Sequence, residues 1–358
     1  MYKKFFMGIA AMAAMTLVSC SSDDLNSLSD NSSKNEAISF DGYWGRSAVS
    51  VNGSRGSVID KAEDLQNVSE GFGVFGNYTS TDVTTTTYGD NLFKNEQVTY
   101  STSNSTSTKW AYTNTKYWPT QGHIDFLAYA PYDSEQKLID NSKLNFTVSS
   151  TVTDQKDLLW ANAAGKTKDK NPVKFTFNHA LAKIGYTVKL NKDYSNATIT
   201  LNKITLAGSA DENTKAFYKT GTIDLSKASS EGLWTNKSSK DKQNFNWFSE
   251  TQPATTITSA STPNPDTKYL FVIPQDFSKT EENADKLYVI VDYTIKYTKY
   301  NNGEMEEMKS TVSSPIVMNF LQGKAYKINL TIGLTPIEFN AEVTPWTDGD
   351  EIGDITWK

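Results

Sequence analysis

The sequence predicts an all-β protein built from two β-sandwich domains. Apolar and polar residues alternate with a period of two over most of the chain, which is typical of strands with one buried face. Helical periodicity is absent after the N-terminal segment, apart from short stretches near 61–67 and 278–285. An aromatic content of 12% and abundant Thr and Ser also favour strands.

The clearest alternation lies in the second half of the chain. The apolar positions share one parity in each of four segments, 184–190, 287–297, 326–332 and 337–343. Each segment predicts a strand with one face in a core and the other in water. About seven such strands after residue 172 are enough for one sandwich, and residues 37–164 contain a comparable set.

The N-terminus is typical of an exported protein. A short cationic region precedes an apolar run from Phe5 to Val18, shorter than the roughly 20 residues of a membrane-spanning helix. The run ends in Leu-Val-Ser-Cys20, which resembles the lipobox of bacterial lipoproteins, where cleavage precedes a cysteine that carries diacylglycerol. We therefore expect a signal peptide over 1–19, a lipid on Cys20 and a polar tether over 20–36. The alternative is an ordinary signal peptide with a chance cysteine.

The composition argues against several classes of function. A net charge of −6 without a basic run offers little to a phosphate backbone, so nucleic acid is not an expected partner. Cys20 is the only cysteine, so no disulfide can form within the chain. Stability then has to come from packed cores.

A domain boundary is predicted within the stretch from Gly165 to Pro172. Its sequence, Gly-Lys-Thr-Lys-Asp-Lys-Asn-Pro, interrupts the alternation with charge and ends in proline. We therefore assign an N-terminal sandwich to 37–170 and a C-terminal sandwich to 171–358.

No motif predicts an enzyme. The chain has two histidines, His123 and His179, and neither has a second His or Cys at the spacing of a zinc site. Neither a nucleophile elbow nor a phosphate-binding glycine loop is found. We expect no catalytic residue, no metal and no cofactor, and interpret His179 as a turn or packing residue. A hydrolase would need one histidine in a cleft beside a nucleophile and a carboxylate.

Several stretches together resemble the fimbrillin family of Bacteroidetes, the Mfa-like lipoproteins and type V pilus subunits. They follow the family's order over nearly the whole chain: the lipobox at Cys20, Phe72–Gly76, Trp118–Pro131, Gln155–Leu159, Phe177–Lys189, Tyr269–Gln275 and Gly323–Trp346. The most specific is the His-Ala-Leu-Ala-Lys-Ile within Phe177–Lys189. The resemblance implies two transthyretin-like β-sandwich domains in tandem, in agreement with the alternation.

The resemblance also implies a mechanism of assembly. In polymerising members a trypsin-like protease cuts after an arginine near the first strand, and a neighbouring subunit's strand then fills the groove that opens. The chain has only two arginines, Arg46 and Arg55. Both follow the first predicted strand, in which Ile38, Phe40 and Trp44 share one parity. We predict processing at one of these arginines; the alternative is that both are surface residues of an early loop.

The best candidate for a donated strand is the C-terminal segment. Ile337, Phe339, Ala341 and Val343 share one parity there. The alternative is that these residues form the last strand of their own domain.

We therefore expect a non-catalytic fimbrial subunit or fimbrillin-like lipoprotein, exposed at the outer membrane or in a fimbrium. Its partners would be other pilin subunits, with an adhesive role toward a host ligand as a further expectation. A second hypothesis is a glycan-binding surface lipoprotein, because eight tryptophans provide rings for sugar stacking. An exposed row of coplanar rings would favour the glycan binder, whereas a groove beneath the first strand would favour the pilin.

Overall fold

The structure of the protein is a computed structural model. It describes residues 36–44, 62–81, 85–101, 110–228, 232–237, 240–249, 255–260, 262–263, 269–299, 303–333 and 338–345. Within these ranges the protein is almost entirely β, as the alternation predicts. One α-helix, α1 (Ala62–Asn67), and one 3₁₀ turn (Val152–Asp154) complete the regular structure of the described residues.

The strands are numbered in chain order. They are β1 (Phe40–Trp44), β2 (Phe72–Thr79), β3 (Phe93–Tyr100), β4 (Trp110–Ala111), β5 (His123–Ala130), β6 (Lys143–Thr147), β7 (Leu159–Lys166), β8 (Val173–His179), β9 (Ala182–Leu190), β10 (Ala197–Ala207), β11 (Phe217–Tyr218), β12 (Thr220–Asp224), β13 (Trp234–Lys237), β14 (Lys242–Gln243), β15 (Phe245–Ser249), β16 (Thr255–Ile257), β17 (Thr262–Pro263), β18 (Leu270–Val272), β19 (Gln275–Asp276), β20 (Tyr288–Thr298), β21 (Met305–Pro315), β22 (Asn319–Phe320), β23 (Lys324–Ile332) and β24 (Glu338–Pro345).

The first part of the chain forms a seven-stranded sheet in the order β1-β8-β7-β5-β2-β3-β4. All of its pairs are antiparallel except the pair of β1 with β8, which is parallel. β1 and β4 are therefore the two edges of this sheet.

The second part of the chain contains two five-stranded sheets. One has the order β15-β10-β20-β21 with β16 added to β10, and the other has the order β17-β9-β23-β24 with β18 added to β9. A three-stranded sheet, β13-β12-β6, and two short ladders, β11-β14 and β19-β22, cover the remaining strands. The long alternating segments predicted from the sequence are β9, β20, β23 and β24.

Two hydrophobic cores lie on opposite faces of the first sheet. Every residue of β5 is buried, because its side chains alternate between these cores. Phe126 and Ala128 pack into the core of the first sheet, whereas Leu127 and Tyr129 pack into the larger core shared with the second part of the chain. Periodicity alone cannot distinguish a fully buried strand of this kind from a buried helical segment.

The turn at the predicted domain boundary connects β7 to β8, and both strands belong to the seven-stranded sheet. β9, which begins at Ala182, pairs with strands of the second part instead. β8 therefore belongs to the first sheet, whereas β6, which precedes the predicted boundary, pairs with β12 of the second part. The charged, proline-containing stretch forms the turn between β7 and β8, a role that such residues fill as readily as that of a linker.

Among the described residues, no helix is both long enough and apolar enough to cross a membrane.

Two glycines with positive φ provide a matched test of the packing in the first sheet. A β-carbon at Gly71 (φ +67°) would lie 2.0 Å from the carbonyl oxygen of Val98, whereas one at Gly165 (φ +62°) would meet nothing within 4 Å. We expect Gly71→Ala to lower the free energy of unfolding by about 2–4 kcal/mol, because backbone strain and a backbone clash add. Gly165→Ala should cost only about 1 kcal/mol, from the strain alone. Urea unfolding followed by tryptophan fluorescence measures both, and equal costs would contradict the packing described around Gly71.

Candidate strand-exchange site

β1 and the residues that lead into it, 36–39, form backbone hydrogen bonds on both sides. On one side β1 pairs with β8, and the N–H of Val173 donates to the carbonyl of Ser39 at 2.8 Å. On the other side the N–H of Ile38 donates to the carbonyl of Lys116 at 2.8 Å, and the N–H of Trp118 donates to that of Glu36 at 2.9 Å. Residues 36–38, which lead into β1, are therefore hydrogen-bonded to the 116–118 segment, while β1 itself pairs with β8.

Phe40 anchors the strand in an aromatic cluster. Its side chain is 1% exposed. Its ring centroid lies 5.4 Å from Phe93 and 5.7 Å from Phe175. The rings of Tyr112 and Phe126 lie at 5.4 and 5.6 Å. Each of these separations falls in the range in which aromatic pairs attract each other beyond simple burial.

The neighbouring positions of the same parity fit the sheet closely. Ile38 is 1% exposed, and Gly42 is buried. A β-carbon on Gly42 would lie 3.1 Å from Leu65 of α1 and 3.3 Å from the ring of Trp110. The groove beneath β1 is therefore deep at Ile38 and Phe40 and shallow at Gly42.

Tyr112 fastens the start of the strand through its hydroxyl. The hydroxyl donates to the carbonyl of Ile38 at 2.8 Å and accepts from the N–H of Lys116 at 3.1 Å. Burial raises the pKa of this phenol to about 12. The Tyr112 hydroxyl thus remains a neutral donor over the physiological range.

Without β1, the first sheet would lose both a ladder and part of its core. β8 would become an edge strand with unpaired N–H and C=O groups, a template that another strand can occupy. The rings around Phe40 would line an apolar groove beside that edge. An open ladder beside an apolar groove is the arrangement that β-strand addition requires.

The candidate donor residues lie in β24, which is an edge strand. β24 pairs antiparallel with β23, and the register sets Phe339 opposite Leu330, Ala341 opposite Ile328 and Val343 opposite Tyr326. The three partners on β23 are buried. The alternating positions of β24 thus pair with the core-facing positions of its neighbour, the arrangement expected of the last strand of this domain.

Several residues predicted to act in the site lie outside the described part of the chain. These are Cys20, Arg46, Arg55 and Ile337. Trp44 belongs to β1 and pairs in register with Phe177, but its side chain is among those not described.

The two histidines are buried beside carboxylates. His179 Nδ1 lies 2.8 Å from Asp157 Oδ2, and His123 Nε2 lies 3.4 Å from Asp125 Oδ2. Both histidines are 6% exposed and both carboxylates are fully buried. Asp125 also accepts from the N–H groups of Thr87 (2.8 Å) and Gly165 (2.6 Å), which joins the loop at Thr87 and the end of β7 to β5. These contacts are those of packing residues, and the described chain contains no group of three or more His, Cys, Asp or Glu side chains suited to a metal ion.

Sequence reasoning identified β1 and its inward parity but not the residues that hold the strand. Trp110–Tyr112 has a strand-like pattern, but this pattern does not show that the Tyr112 hydroxyl contacts β1, and Lys116 lies in a polar segment without alternation. The parallel pairing with β8 was also not predicted, because parity in one strand does not specify its neighbour.

The chain matches known proteins over most of its length. A family model described as fimbrillin-like matches residues 61–346. A fimbrial protein from Bacteroides vulgatus has a similar structure, with a TM-score of 0.64 and 21% identity over 87% of this chain and 100% of that one. A candidate cell adhesion protein from Bacteroides ovatus aligns with a TM-score of 0.49 and 18% identity over 88% of this chain and 99% of that one. No curated protein sequence is significantly similar.

The family match assigns the chain to a fimbrial class of protein rather than to an enzyme family, and the fold agrees with that of a fimbrial protein. The chain belongs to the fimbrillin-like family, which confirms the resemblance found in the sequence.

Phe40→Ala tests whether β1 is part of the core. We expect the substitution to lower the free energy of unfolding by about 3–5 kcal/mol, because the ring is buried among other rings and leaves a cavity. Asp41→Ala, at the adjacent position of opposite parity, is the matched control and should change stability by at most about 0.5 kcal/mol. Urea denaturation compares the two variants. Similar small effects would contradict the anchoring role of Phe40.

The buried phenol of Tyr112 predicts a loss of stability at high pH. Because the folded-state pKa lies above the ordinary value of 10.0, its contribution is complete below pH 10 and is lost as the pH rises toward 12. Tyr112→Phe removes this titration, so the decline in unfolding free energy from pH 10 to 12 should be shallower than in the unaltered chain. Tyr117→Phe is the control from the same segment. Parallel stability curves for the Tyr112 variant and the unaltered chain would contradict the prediction.

Proposed function

We propose that this protein is a fimbrial subunit that assembles by strand exchange after proteolysis removes β1. The observation that carries the proposal is the position of β1, a five-residue edge strand that inserts Phe40 into the first core. Its removal creates an open ladder and an apolar groove in one step. A strand from a second subunit can satisfy both, which is the physical basis of β-strand addition.

Burial of the donor's apolar side chains in the groove favours binding of an incoming strand. Burial of an apolar side chain contributes roughly 1.5–3 kcal/mol, so two anchors comparable to Ile38 and Phe40 would add about 3–6 kcal/mol. The hydrogen bonds to β8 are regained by the incoming strand, whose side chains set the specificity. The shallow end of the groove at Gly42 favours a donor with a small residue at the corresponding position.

The C-terminal segment is the proposed donor. Ile337, Phe339, Ala341 and Val343 supply the alternating apolar positions that the groove requires. β24 has β23 as a neighbour on one side only in the described sheet, so its release breaks a single ladder. The alternative, in which β24 stays with its own domain and another segment is donated, is decided by experiment.

Cys20 is proposed as a lipid anchor that delivers the subunit to the outer membrane. Cleavage after Arg46 or Arg55 separates the lipid, the tether and β1 from the rest of the chain. The anchor is then temporary in subunits that polymerise and permanent in those that are not cut.

Burial of the tryptophans weighs against the glycan-binding alternative. Trp110, Trp118, Trp160 and Trp247 are at most 5% exposed. These four rings pack in cores and offer no platform for a sugar. The cluster beneath β1 is the feature that distinguishes the pilin from the glycan binder.

Proteolysis at arginine provides the first test. Arg46 and Arg55 are the only arginines, so an arginine-specific protease has only these two sites in a lysine-rich chain. We expect treatment to convert the purified chain into ladders of multimers on a non-reducing gel of unheated samples. The double variant Arg46→Lys with Arg55→Lys keeps the charge and should remain monomeric. Multimers of this variant after the same treatment would refute the processing step.

A reversible disulfide between β1 and β8 tests whether β1 has to leave the sheet before assembly. Asp41 and Lys174 are register partners on β1 and β8. With Asp41→Cys, Lys174→Cys and Cys20→Ser combined, an oxidised chain should be cut by the arginine-specific protease but stay monomeric, and reduction should start assembly. Assembly of the oxidised, cleaved chain would show that β1 need not leave its groove.

A further inference from the structure

A cleft lies on the face of the first sheet that packs against the larger core. This cleft, of about 660 Å³, separates the end of β5 from β6. Its floor is apolar and is formed by Tyr129, Leu144, Val148, Leu158 and Ile223, all buried. Tyr129 and Leu158 belong to the larger core, so this cleft is separate from the groove beneath β1.

β6 is the edge strand of its three-stranded sheet, and its outer side faces this cleft. The N–H of Val148 donates to the carbonyl of Lys219, so Val148 directs its N–H toward the β12 segment. Because the direction of the backbone groups alternates along a strand, Asn145 and Thr147 direct their N–H and C=O groups away from β12, on the side where Lys143 bonds to Ile139. Both residues are exposed and line the cleft.

The two ends of this outer edge are already occupied. Lys143 exchanges both backbone hydrogen bonds with Ile139, at 2.9 and 2.8 Å. The carbonyl of Ser149 accepts from the side chain of Gln155 at 3.0 Å. Within the described part of the chain, no residue bonds to the outward backbone groups of Asn145 and Thr147. The edge therefore offers a defined slot of four backbone groups between two closed ends.

The rim of the cleft is acidic. Glu70, Asp133 and Asp154 line it together with a single ammonium group, that of Lys156. Lys156 Nζ lies 3.2 Å from Glu70 Oε1, so this cation is already paired with one of the three carboxylates. The remaining negative charge favours a ligand with basic residues.

We propose that this cleft binds an extended peptide by β-augmentation of β6. The peptide's backbone bonds to Asn145 and Thr147, apolar side chains reach the floor, and flanking Lys or Arg residues meet the acidic rim. An apolar floor beside an open strand edge suits a peptide rather than a sugar, since a sugar needs hydrogen-bonding groups in its binding surface. The proposal does not depend on strand exchange at β1.

The test uses the intact chain and a labelled, end-capped peptide of sequence Lys-Val-Thr-Val-Lys, with binding followed by fluorescence anisotropy. Two further peptides carry backbone N-methyl groups on alternate amides, one set on the odd positions and the other on the even positions. In an augmented sheet only one set of amides faces β6. We expect saturable binding by the parent and by one methylated peptide, and at least about tenfold weaker binding by the other.

Matched variants place the binding on β6. Thr147→Pro removes the outward N–H and should weaken binding at least about tenfold, whereas Thr147→Val keeps that N–H and should bind as the unaltered chain does. Asp154→Asn should weaken binding of the basic peptide at low salt, and a Glu-flanked peptide should bind less tightly than the Lys-flanked one. Urea unfolding of the Thr147→Pro variant establishes that it is folded.

Three outcomes would overturn the proposal. The first is no saturable binding of the parent peptide, and the second is equal binding of both methylated peptides. The third is equally tight binding of the parent peptide to the folded Thr147→Pro variant and to the unaltered chain.

Discussion

The first core of this protein depends on one short strand at the edge of its sheet. β1 inserts Phe40 among four aromatic rings and bonds to β8 through its backbone. Its inward side chains Ile38 and Phe40 are 1% exposed, and few other residues hold the strand. In the proposed mechanism this segment stays in the sheet while it is attached to the chain and is exchanged once it is cut free. The competing strand then has to match only a short ladder and two deep side-chain positions.

Strand edges are a hazard in soluble β proteins because they pair with other edges. In this fold three edges have distinct chemistry. The edge of β8 is covered by β1, β24 is an edge with alternating apolar positions, and β6 keeps a short open segment above an apolar floor with an acidic rim. We interpret these differences as specificity: each edge requires a different partner strand, which limits indiscriminate association. In the proposed assembly, backbone hydrogen bonds serve folding at the edge of β8 and association at the other two edges.

The sequence predicted the fold class and the strands with clear alternation, because period two follows directly from strand geometry. The positions of β9, β20 and β23 and the inward parity of Ile38 and Phe40 could be predicted for this reason. The arrangement of the sheets could not. β8 is contiguous with a charged turn that resembled a linker, and only its pairing assigns it to the first sheet. Tyr112, Gly42 and the slot at Asn145 and Thr147 depend on contacts between segments distant in sequence, which a local pattern does not encode.

The account is tested most directly by amide hydrogen exchange in β8, residues Val173–His179, measured in the intact chain, the cleaved monomer and the assembled form. Loss of β1 should accelerate exchange at the β8 amides that pair with it, and assembly should restore their protection, since a new strand occupies the same ladder. Amides of β8 that stay protected after β1 has been lost would contradict the central claim. So would multimers in which these amides still exchange as fast as in the cleaved monomer.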